Sequence, residues 1–261
     1  MKMFGVMNLA LALFCVCGIS DIRASEWKEL LSGNNEFVHS HKFARQRSKL
    51  KHQNPSTVVL ACIDSRSPPE LVFNQGLGKL FVVRTGGQVI GDVDTGNVVT
   101  DSIEFCVGHF DVNTLIVLGH TRCGAVEGAL GRLVRNGGVI DPVGPGHLDA
   151  VLIPIEKAIL AAGINIYGPD ALKQSIRANI YYVANQLITV SPVIAKAVKK
   201  GKVALIGAEL NVLSGRVHKL FQYSKDLMPK ELPFDLLSEG EDFSLEQDDA
   251  NHGVKSSCAC H

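Results

Sequence analysis

The sequence has no surplus of charge of either sign, few aromatic residues and no visible internal repeat. Its 261 residues include 26 basic and 26 acidic side chains and a single Trp. The balanced charge argues against a nucleic-acid partner and against binding to an anionic membrane surface. An apolar share of 46% excludes a disordered or collagen-like chain. We therefore expect a globular protein with a small-molecule substrate.

The N-terminus has the pattern of a leader. Residues 3–20 carry no charge, and residues 9–14 form a continuous apolar centre. Gly18 and Ser20 then supply small residues at the spacing of a cleavage site. The pattern predicts a signal peptide over residues 1–20 and export, with the bacterial periplasm as the expected compartment. The alternative is an uncleaved membrane anchor, but the apolar stretch is shorter than the ~20 residues that a spanning helix needs.

The cysteines do not fit a disulfide framework. Removal of the leader leaves an odd number of them in a chain that we expect to be exported, whereas disulfides need pairs. At least one thiol must therefore have another role. The five that remain are Cys62, Cys106, Cys123, Cys258 and Cys260.

Apolar runs alternate with helical patterns through most of the chain. The runs cover residues 58–62, 80–83, 114–118 and 203–206, and helical periodicity covers residues 96–109, 148–162 and 171–200. Strands that alternate with helices predict an α/β fold with a central, mostly parallel sheet of four strands, flanked by helices. A short edge strand is expected at residues 216–220. The predicted domain spans residues 26–225.

The last part of the chain differs in composition from this domain. Residues 231–249 contain eight Asp and Glu side chains, and the next Lys or Arg after them is Lys255. We interpret residues 226–261 as an acidic C-terminal extension that ends in Cys-Ala-Cys-His. That ending can bind a soft metal or remain an exposed, unpaired tail, and both readings stay open.

Chemically versatile side chains follow two of the predicted strands. The first run leads into Cys-Ile-Asp-Ser-Arg at residues 62–66, and the third leads into Gly-His-Thr-Arg-Cys-Gly at residues 119–124. Parallel strands end at the same edge of a sheet, so these segments are expected to meet. Two thiolates and one imidazole, from Cys62, Cys123 and His120, are ligands that suit zinc and leave its fourth position open.

An acidic and a basic side chain accompany the first predicted ligand. Asp64 lies two residues after it and Arg66 lies four residues after it. A carboxylate beside a guanidinium stays ionised and oriented, so it can accept a hydrogen bond from a metal-bound water. The expected role of the Asp64–Arg66 pair is therefore catalytic.

The two segments together resemble the paired signature of the β-class carbonic anhydrases, which interconvert carbon dioxide and bicarbonate. Similar segments recur at residues 69–71, 74–78, 81–84, 102–105, 191–192 and 201–203, so that the resemblance covers about residues 53–219. It implies one Zn²⁺ per chain on Cys62, His120 and Cys123, and zinc hydroxide attack on carbon dioxide, oriented by Asp64 and Arg66. It also implies a homodimer or a higher even oligomer.

The resemblance further implies a set of residues around the substrate. The set consists of an amide side chain, two aromatic side chains and two glycines: Gln53, Phe81, Phe105, Gly86 and Gly124. Gln53 favours the plant-like branch of the family, in which water holds the fourth zinc position. The stretch Thr-Gly-Gly-Gln at residues 85–88 departs from the family pattern, and Gly86 predicts a wider pocket wall.

Two other functions remain open at this point. The wider pocket predicted at Gly86 is also compatible with a zinc hydrolase of carbonyl sulfide or carbon disulfide, which would use the same site. The terminal Cys-Ala-Cys-His keeps open a non-catalytic protein that binds zinc or senses thiol oxidation. Among the other candidate residues, we expect Cys106 to be a small core residue and residues 76–79 to form a turn rather than a phosphate loop.

Overall fold

A computed structural model describes residues 25–91, 97–143 and 148–225. The predicted signal peptide and the acidic extension lie outside these residues. The described chain opens with two helices on its surface, α1 (residues 25–39) and α2 (His41–Lys49). None of the helices in the described ranges is long and apolar enough to cross a membrane.

A five-stranded sheet forms the centre of the fold. Its strands are β1 (Thr57–Cys62), β2 (Phe81–Thr85), β3 (Thr114–His120), β4 (Ala204–Leu210) and β5 (Val217–Tyr223). They lie in the order β2-β1-β3-β4-β5. The first four are parallel, and β5 pairs antiparallel with β4 at the edge. The predicted α/β class and mostly parallel sheet are confirmed, and the edge strand has seven residues and ends at Tyr223.

Six further helices and one 3₁₀ turn complete the described fold. They are α3 (Pro69–Val72), η1 (Gly86–Gln88), α4 (Val98–His109), α5 (Gly124–Arg135), α6 (Asp149–Ala161), α7 (Ala171–Val190) and α8 (Pro192–Lys199).

One helix prediction was wrong, because residues 171–200 form two helices rather than one. Ser191 is extended, with φ −108° and ψ 102°, as the residue before a proline prefers. Pro192 then starts α8, and the Ser191 hydroxyl accepts a hydrogen bond from the Ile194 N–H. The chain thus changes direction at residue 191.

The central strands are buried on both faces, which explains their continuous apolar sequence. Val58, Leu60 and Leu115 belong to the larger core, whereas Val59 and Ala61 belong to a smaller core on the opposite face. This double burial fixes the register of β1 and β3. Their carboxyl ends, where the chemically versatile segments begin, therefore lie side by side.

A buried ion pair joins α5 to α6. Arg132 Nε lies 2.5 Å from Glu156 Oε1, and Nη2 lies 2.9 Å from Oε2. The same guanidinium donates to Asp149 Oδ1 at 2.6 Å. Arg132 is 7% exposed and Glu156 is completely buried. Both oxygens of the buried carboxylate are therefore satisfied, which holds α6 against the helix that begins beside Cys123.

Candidate metal centre

Two strand ends and one helix start bring together three side chains of types that can bind a metal. Cys62 is the last residue of β1, His120 is the last residue of β3, and Cys123 immediately precedes α5. Arg122, with φ 55°, makes the left-handed turn that allows both His120 and Cys123 to face the same point. The three possible ligand atoms all lie within 4.8 Å of one another, and all three residues are buried.

The ring of His120 is oriented for a metal. Nδ1 donates to the carbonyl of Thr121 at 2.9 Å, which leaves Nε2 as the nitrogen with a free lone pair. Nε2 is buried and, within the described residues, has no hydrogen-bond partner. A buried polar atom without a partner is costly, and a metal ion would satisfy it. The donor set of two sulfurs and one nitrogen fits Zn²⁺.

The two thiols shift each other's pKa in opposite directions. Their sulfurs lie 4.0 Å apart. Hydrogen bonding from Cys123 lowers the pKa of Cys62 to about 4, with help from His120 and from the Gly87 N–H, although burial works against it. The same interaction with Cys62, together with burial, raises the pKa of Cys123. The site thus stabilises negative charge on sulfur, which a divalent cation requires.

The protonation of His120 is subject to opposing influences. Burial alone lowers the pKa of the ring. The thiolate of Cys62 and the carbonyl of Thr121 outweigh burial, so that the pKa of His120 lies above its ordinary value. The raised pKa thus reflects the negative charge that Cys62 places beside the ring.

Asp64 lies beside the three candidate ligands and is held by Arg66. The carboxylate accepts from the backbone N–H and the side chain of Arg66, and its Oδ2 lies 3.8 Å from Nε2 of His120. The hydrogen bonds of Arg66 keep the pKa of Asp64 well below its usual range. Arg66 Nη2 also donates to the carbonyl of Arg122 at 3.1 Å. Asp64 is thus an oriented acceptor next to the cluster, and its low pKa favours the charged form.

The sequence analysis assigned no role to Arg84, although the Arg84 side chain holds residues 62–64 in place through hydrogen bonds. Arg84 lies on β2, where Nε donates to the carbonyl of Cys62 at 2.8 Å and Nη2 donates to the carbonyl of Asp64 at 2.6 Å. Ser67 also donates to the carbonyl of Asp64, through both its N–H and its hydroxyl. A cationic residue in an otherwise apolar strand was the one signal that the sequence offered.

The residues predicted to surround a substrate lie in several places. Phe81, on β2, is half-buried, with its ring 4.9 Å from that of Phe110, whereas Phe105, on α4, is 52% exposed. Gly124 is the first residue of α5, directly after Cys123. Gln53 is exposed in the segment before β1, and no hydrogen bond within the described chain joins it to the cluster.

The surroundings of Gly86 differ from the expectation of a wide pocket wall. Gly86 begins η1, and a Cβ built on it would lie 3.0 Å from Cγ1 of Val151 on α6. The space next to Gly86 is therefore filled by a neighbouring helix.

Two sequence interpretations outside the cluster are confirmed. Cys106 is buried in the larger core, where burial raises the pKa of its thiol. Residues 77–78 form a turn within the segment that superficially resembled a phosphate loop.

The family model and the curated relatives that match this chain are carbonic anhydrases. A family model described as carbonic anhydrase matches residues 57–217. The carbonic anhydrase of Mycolicibacterium smegmatis is 33% identical over 197 residues, which are 73% of this chain and 90% of the relative. Carbonic anhydrase 2 of Mycobacterium tuberculosis is 31% identical over 196 residues, which are 73% of this chain and 89% of the relative.

Solved structures agree in fold. The β-carbonic anhydrase CcaA has a TM-score of 0.62 and 23% identity, over 75% of this chain and 87% of that one. A tetrameric β-carbonic anhydrase from Sordaria macrospora has a TM-score of 0.57 and 21% identity, over 78% of this chain and 99% of that one.

Proposed function

This chain belongs to the β-carbonic anhydrase family of lyases, and on that premise we propose that it reversibly hydrates carbon dioxide to bicarbonate and a proton at a zinc ion. One zinc per chain is held by Cys62, His120 and Cys123 in this proposal. The observation that carries it is the buried cluster of their donor atoms, within 4.8 Å of one another, in which Nε2 of His120 makes no hydrogen bond to any described residue.

The chemistry of the donor set supports zinc in a catalytic rather than a purely structural role. Three protein ligands leave a fourth position open, which is the pattern of catalytic zinc sites. A zinc ion bound here supplies Lewis acidity that makes a water molecule a better nucleophile at moderate pH. Two thiolates reduce that acidity relative to three neutral imidazoles, so the surrounding protein must contribute by orientation.

Asp64 provides that orientation in our proposal. Its carboxylate stays ionised, and Arg66 fixes both of its oxygens. From its place beside His120 the carboxylate accepts the hydrogen of the reacting water and turns an oxygen lone pair toward carbon dioxide. Because both oxygens are occupied by Arg66, we assign the chain to the plant-like branch, in which the Asp does not ligate the metal.

The predicted pocket residues complete this proposal. Gly124 opens α5, and the first N–H groups of a helix lack intrahelical partners, so its N–H is suited to an oxygen of bicarbonate. Phe81 pairs with Val58, at the end of β1 away from Cys62. In this proposal Phe81, Phe105 and Gln53 therefore reach carbon dioxide from a second copy of the chain, the two rings with apolar surface and the amide with a hydrogen bond. Gly86 lets the turn that carries it pass closely beneath α6.

We further propose a homodimer or a higher even oligomer. Trp27, Leu30 and Leu31 on α1 are between 47% and 66% exposed, which leaves an unburied apolar face on that helix. Packing of α1 against a second copy would bury this face. The tetrameric assembly of the related protein from Sordaria macrospora supports an even number of chains.

We also propose that residues 1–20 are a signal peptide and that the mature protein is exported, in a bacterium to the periplasm. The uncharged apolar centre and the small residues after it support this. The intact mass of protein recovered from the exported fraction tests it, and retention of residues 1–20 would contradict it.

The experiment that tests the proposed reaction is stopped-flow hydration of carbon dioxide by the zinc-loaded, full-length protein, followed with a pH indicator. Carbonyl sulfide and carbon disulfide are assayed in parallel. We expect rapid proton release with carbon dioxide, and loss of that release when a chelator removes the zinc. Turnover of only the sulfur compounds would replace the proposed substrate, and turnover of none would favour a non-catalytic zinc protein.

A further inference from the structure

The turn that follows β2 passes directly beside one of the metal-binding sulfurs. The Gly87 N–H donates to Cys62 Sγ at 3.4 Å. Gly87 is the middle residue of η1 and has φ 61° and ψ 22°, a left-handed conformation that glycine adopts without strain. This conformation aims its N–H at the sulfur.

Close packing on the other side, together with the positive φ, disfavours a side chain at this position. A Cβ on Gly87 would lie 2.8 Å from Cδ1 of Ile155 and 3.3 Å from Cβ of Ala125. The turn is therefore confined between the sulfur and the helices α5 and α6. Its peptide groups still need a polar anchor, because a buried carbonyl without a partner is costly.

Asn179 supplies that anchor from α7. Its Nδ2 donates to the carbonyl of Gly87 at 2.8 Å, across 92 positions of sequence. Asn179 is completely buried, and within the described residues its Oδ1 has no hydrogen-bond partner. A buried amide side chain whose oxygen accepts no hydrogen bond contributes little to the stability of the fold. The unsatisfied Oδ1 therefore indicates a specific role for the hydrogen bond that Nδ2 donates to Gly87.

We propose that Asn179 is a positioning residue for the metal: by holding the Gly87 carbonyl, it keeps the Gly87 N–H on Cys62 Sγ and so sets how strongly that sulfur donates electrons to the ion. The inference rests on the proposed function, since it assumes a metal ion on Cys62. A hydrogen bond to a metal-bound thiolate draws electron density away from the metal. In a site with two thiolates this increases the Lewis acidity that remains for water.

Three variants separate this role from packing. Asn179→Leu keeps the volume of the side chain but removes the donor, and Asn179→Ala removes both. Asn185→Ala is the control. Asn185 also lies on α7, and its Oδ1 also has no hydrogen-bond partner among the described residues, but the structure shows no hydrogen bond from it to η1. Folding of each is checked by circular dichroism before metal is added.

The first readout is the absorption of the cobalt-substituted protein. Thiolate-to-cobalt charge transfer moves to longer wavelength when a sulfur loses a hydrogen bond, because its electrons become easier to remove. We expect this shift in both Asn179 variants and not in Asn185→Ala. Because the sulfur is then also less firmly positioned, zinc affinity, measured by competition with a chelator, should fall on the order of tenfold in the same two variants. Parent-like absorption and affinity in Asn179→Leu would overturn the proposal.

A second measurement needs no variant and covers the case in which the Asn179 variants do not fold. In the parent protein loaded with cadmium-113 and labelled with nitrogen-15 glycine, the Gly87 amide proton should show scalar coupling to the metal through Sγ. Absence of that coupling would overturn the proposal. Neither readout needs carbon dioxide turnover, so an inactive parent that binds metal refutes the proposed function alone, whereas a parent that binds no metal refutes both.

Discussion

The guanidinium of Arg66 holds both carboxylate oxygens of Asp64, with Nε 2.9 Å from Oδ1 and Nη2 2.6 Å from Oδ2. Two parallel hydrogen bonds fix the plane of the carboxylate as well as its charge. Asp64 is only two residues from Cys62, so this plane is also fixed relative to the metal ligands. The pair can therefore be tested by removing charge or orientation separately.

Replacement of Asp64 by Asn removes the charge and keeps the shape. We expect Asp64→Asn to retain zinc and fold but to lose on the order of 10² or more in the hydration rate, because an amide can present its N–H₂ group to the reacting water. Stopped-flow hydration with metal analysis of the same sample measures both. Asp101→Asn, on the exposed side of α4, is the control. Equal rates for the parent and Asp64→Asn would remove Asp64 from the mechanism.

Replacement of Arg66 by Gln removes the two guanidinium hydrogen bonds that orient Asp64 and leaves the charge of Asp64 at neutral pH. Arg66 depresses the pKa of Asp64, so its loss should return that pKa toward the ordinary value of ~3.9. At pH 7 Asp64 is then still ionised, and any lower rate reflects lost orientation. Below about pH 5 the variant should lose activity further as Asp64 gains a proton.

The rate of bicarbonate dehydration across acidic pH measures this effect. In the parent protein Asp64 stays charged over the same range, so the extra acidic loss should appear only in Arg66→Gln. The stability that the depressed pKa contributes follows the same sign: it is present above about pH 4 and is lost as the pH falls through the folded-state value. Superimposable relative pH profiles would contradict the role assigned to Arg66.

Replacement of any one metal ligand should remove the zinc. We expect Cys62→Ser, His120→Ala and Cys123→Ser to contain less than one zinc per chain after dialysis, because two remaining ligands bind zinc far more weakly than three. Cys106→Ser is the matched control, because Cys106 is also a buried free thiol but lies in the apolar core. Elemental analysis decides, and a zinc-free Cys106→Ser protein would show that the ligands are misassigned.

The buried pair between α5 and α6 should contribute to global stability. Glu156→Gln leaves the buried Arg132 with Asp149 as its remaining carboxylate partner. We expect the free energy of unfolding to fall by about 3 kcal/mol, the lower end for breaking a buried ion pair. Urea denaturation measures it, with Glu127→Gln on the exposed face of α5 as the control. An unchanged denaturation midpoint would show that the ion pair does not contribute to the free energy of unfolding.

The single Trp offers a direct probe of assembly. Trp27 is 61% exposed in one chain, on the apolar face of α1. If α1 packs against a second copy, Trp27 becomes buried and its fluorescence emission moves to shorter wavelength. We expect emission to return to longer wavelength on dilution, at the concentrations where sedimentation shows the oligomer dissociating. Emission typical of an exposed Trp in the intact oligomer would exclude α1 from the interface.

The sequence predicted the strands and the meeting of Cys62, His120 and Cys123 because both depend on local patterns. Continuous apolar runs mark strands that are buried on both faces, and Cys62 and His120 follow such runs at once. The break at Ser191 was predictable from Pro192, because an extended residue precedes it. The prediction of one helix failed because the apolar periodicity continues across the break.

The contacts around the ligands could not be predicted in the same way. Arg84 reaches the carbonyls of Cys62 and Asp64 from a neighbouring strand, and Asn179 reaches Gly87 from a helix 92 positions later. These hydrogen bonds end on backbone atoms, which carry no sequence signal. They depend on the register and on helix placement, and neither follows from composition or periodicity.

The sulfurs of Cys62 and Cys123 lie 4.0 Å apart, although the two residues are 61 positions apart in the chain. An ion bound to both would close the intervening chain, with β2, α4 and β3 inside it, into a ring. If the ion stays on both sulfurs, such a ring lowers the conformational entropy of the unfolded chain. By the chain-entropy relation used for disulfides, this raises the free energy of unfolding by about 4 kcal/mol. Unlike a disulfide, which a reductant breaks, this cross-link would be removed by a chelator. Loss of the ion would then lower the thermal stability of the protein and also empty the proposed metal site.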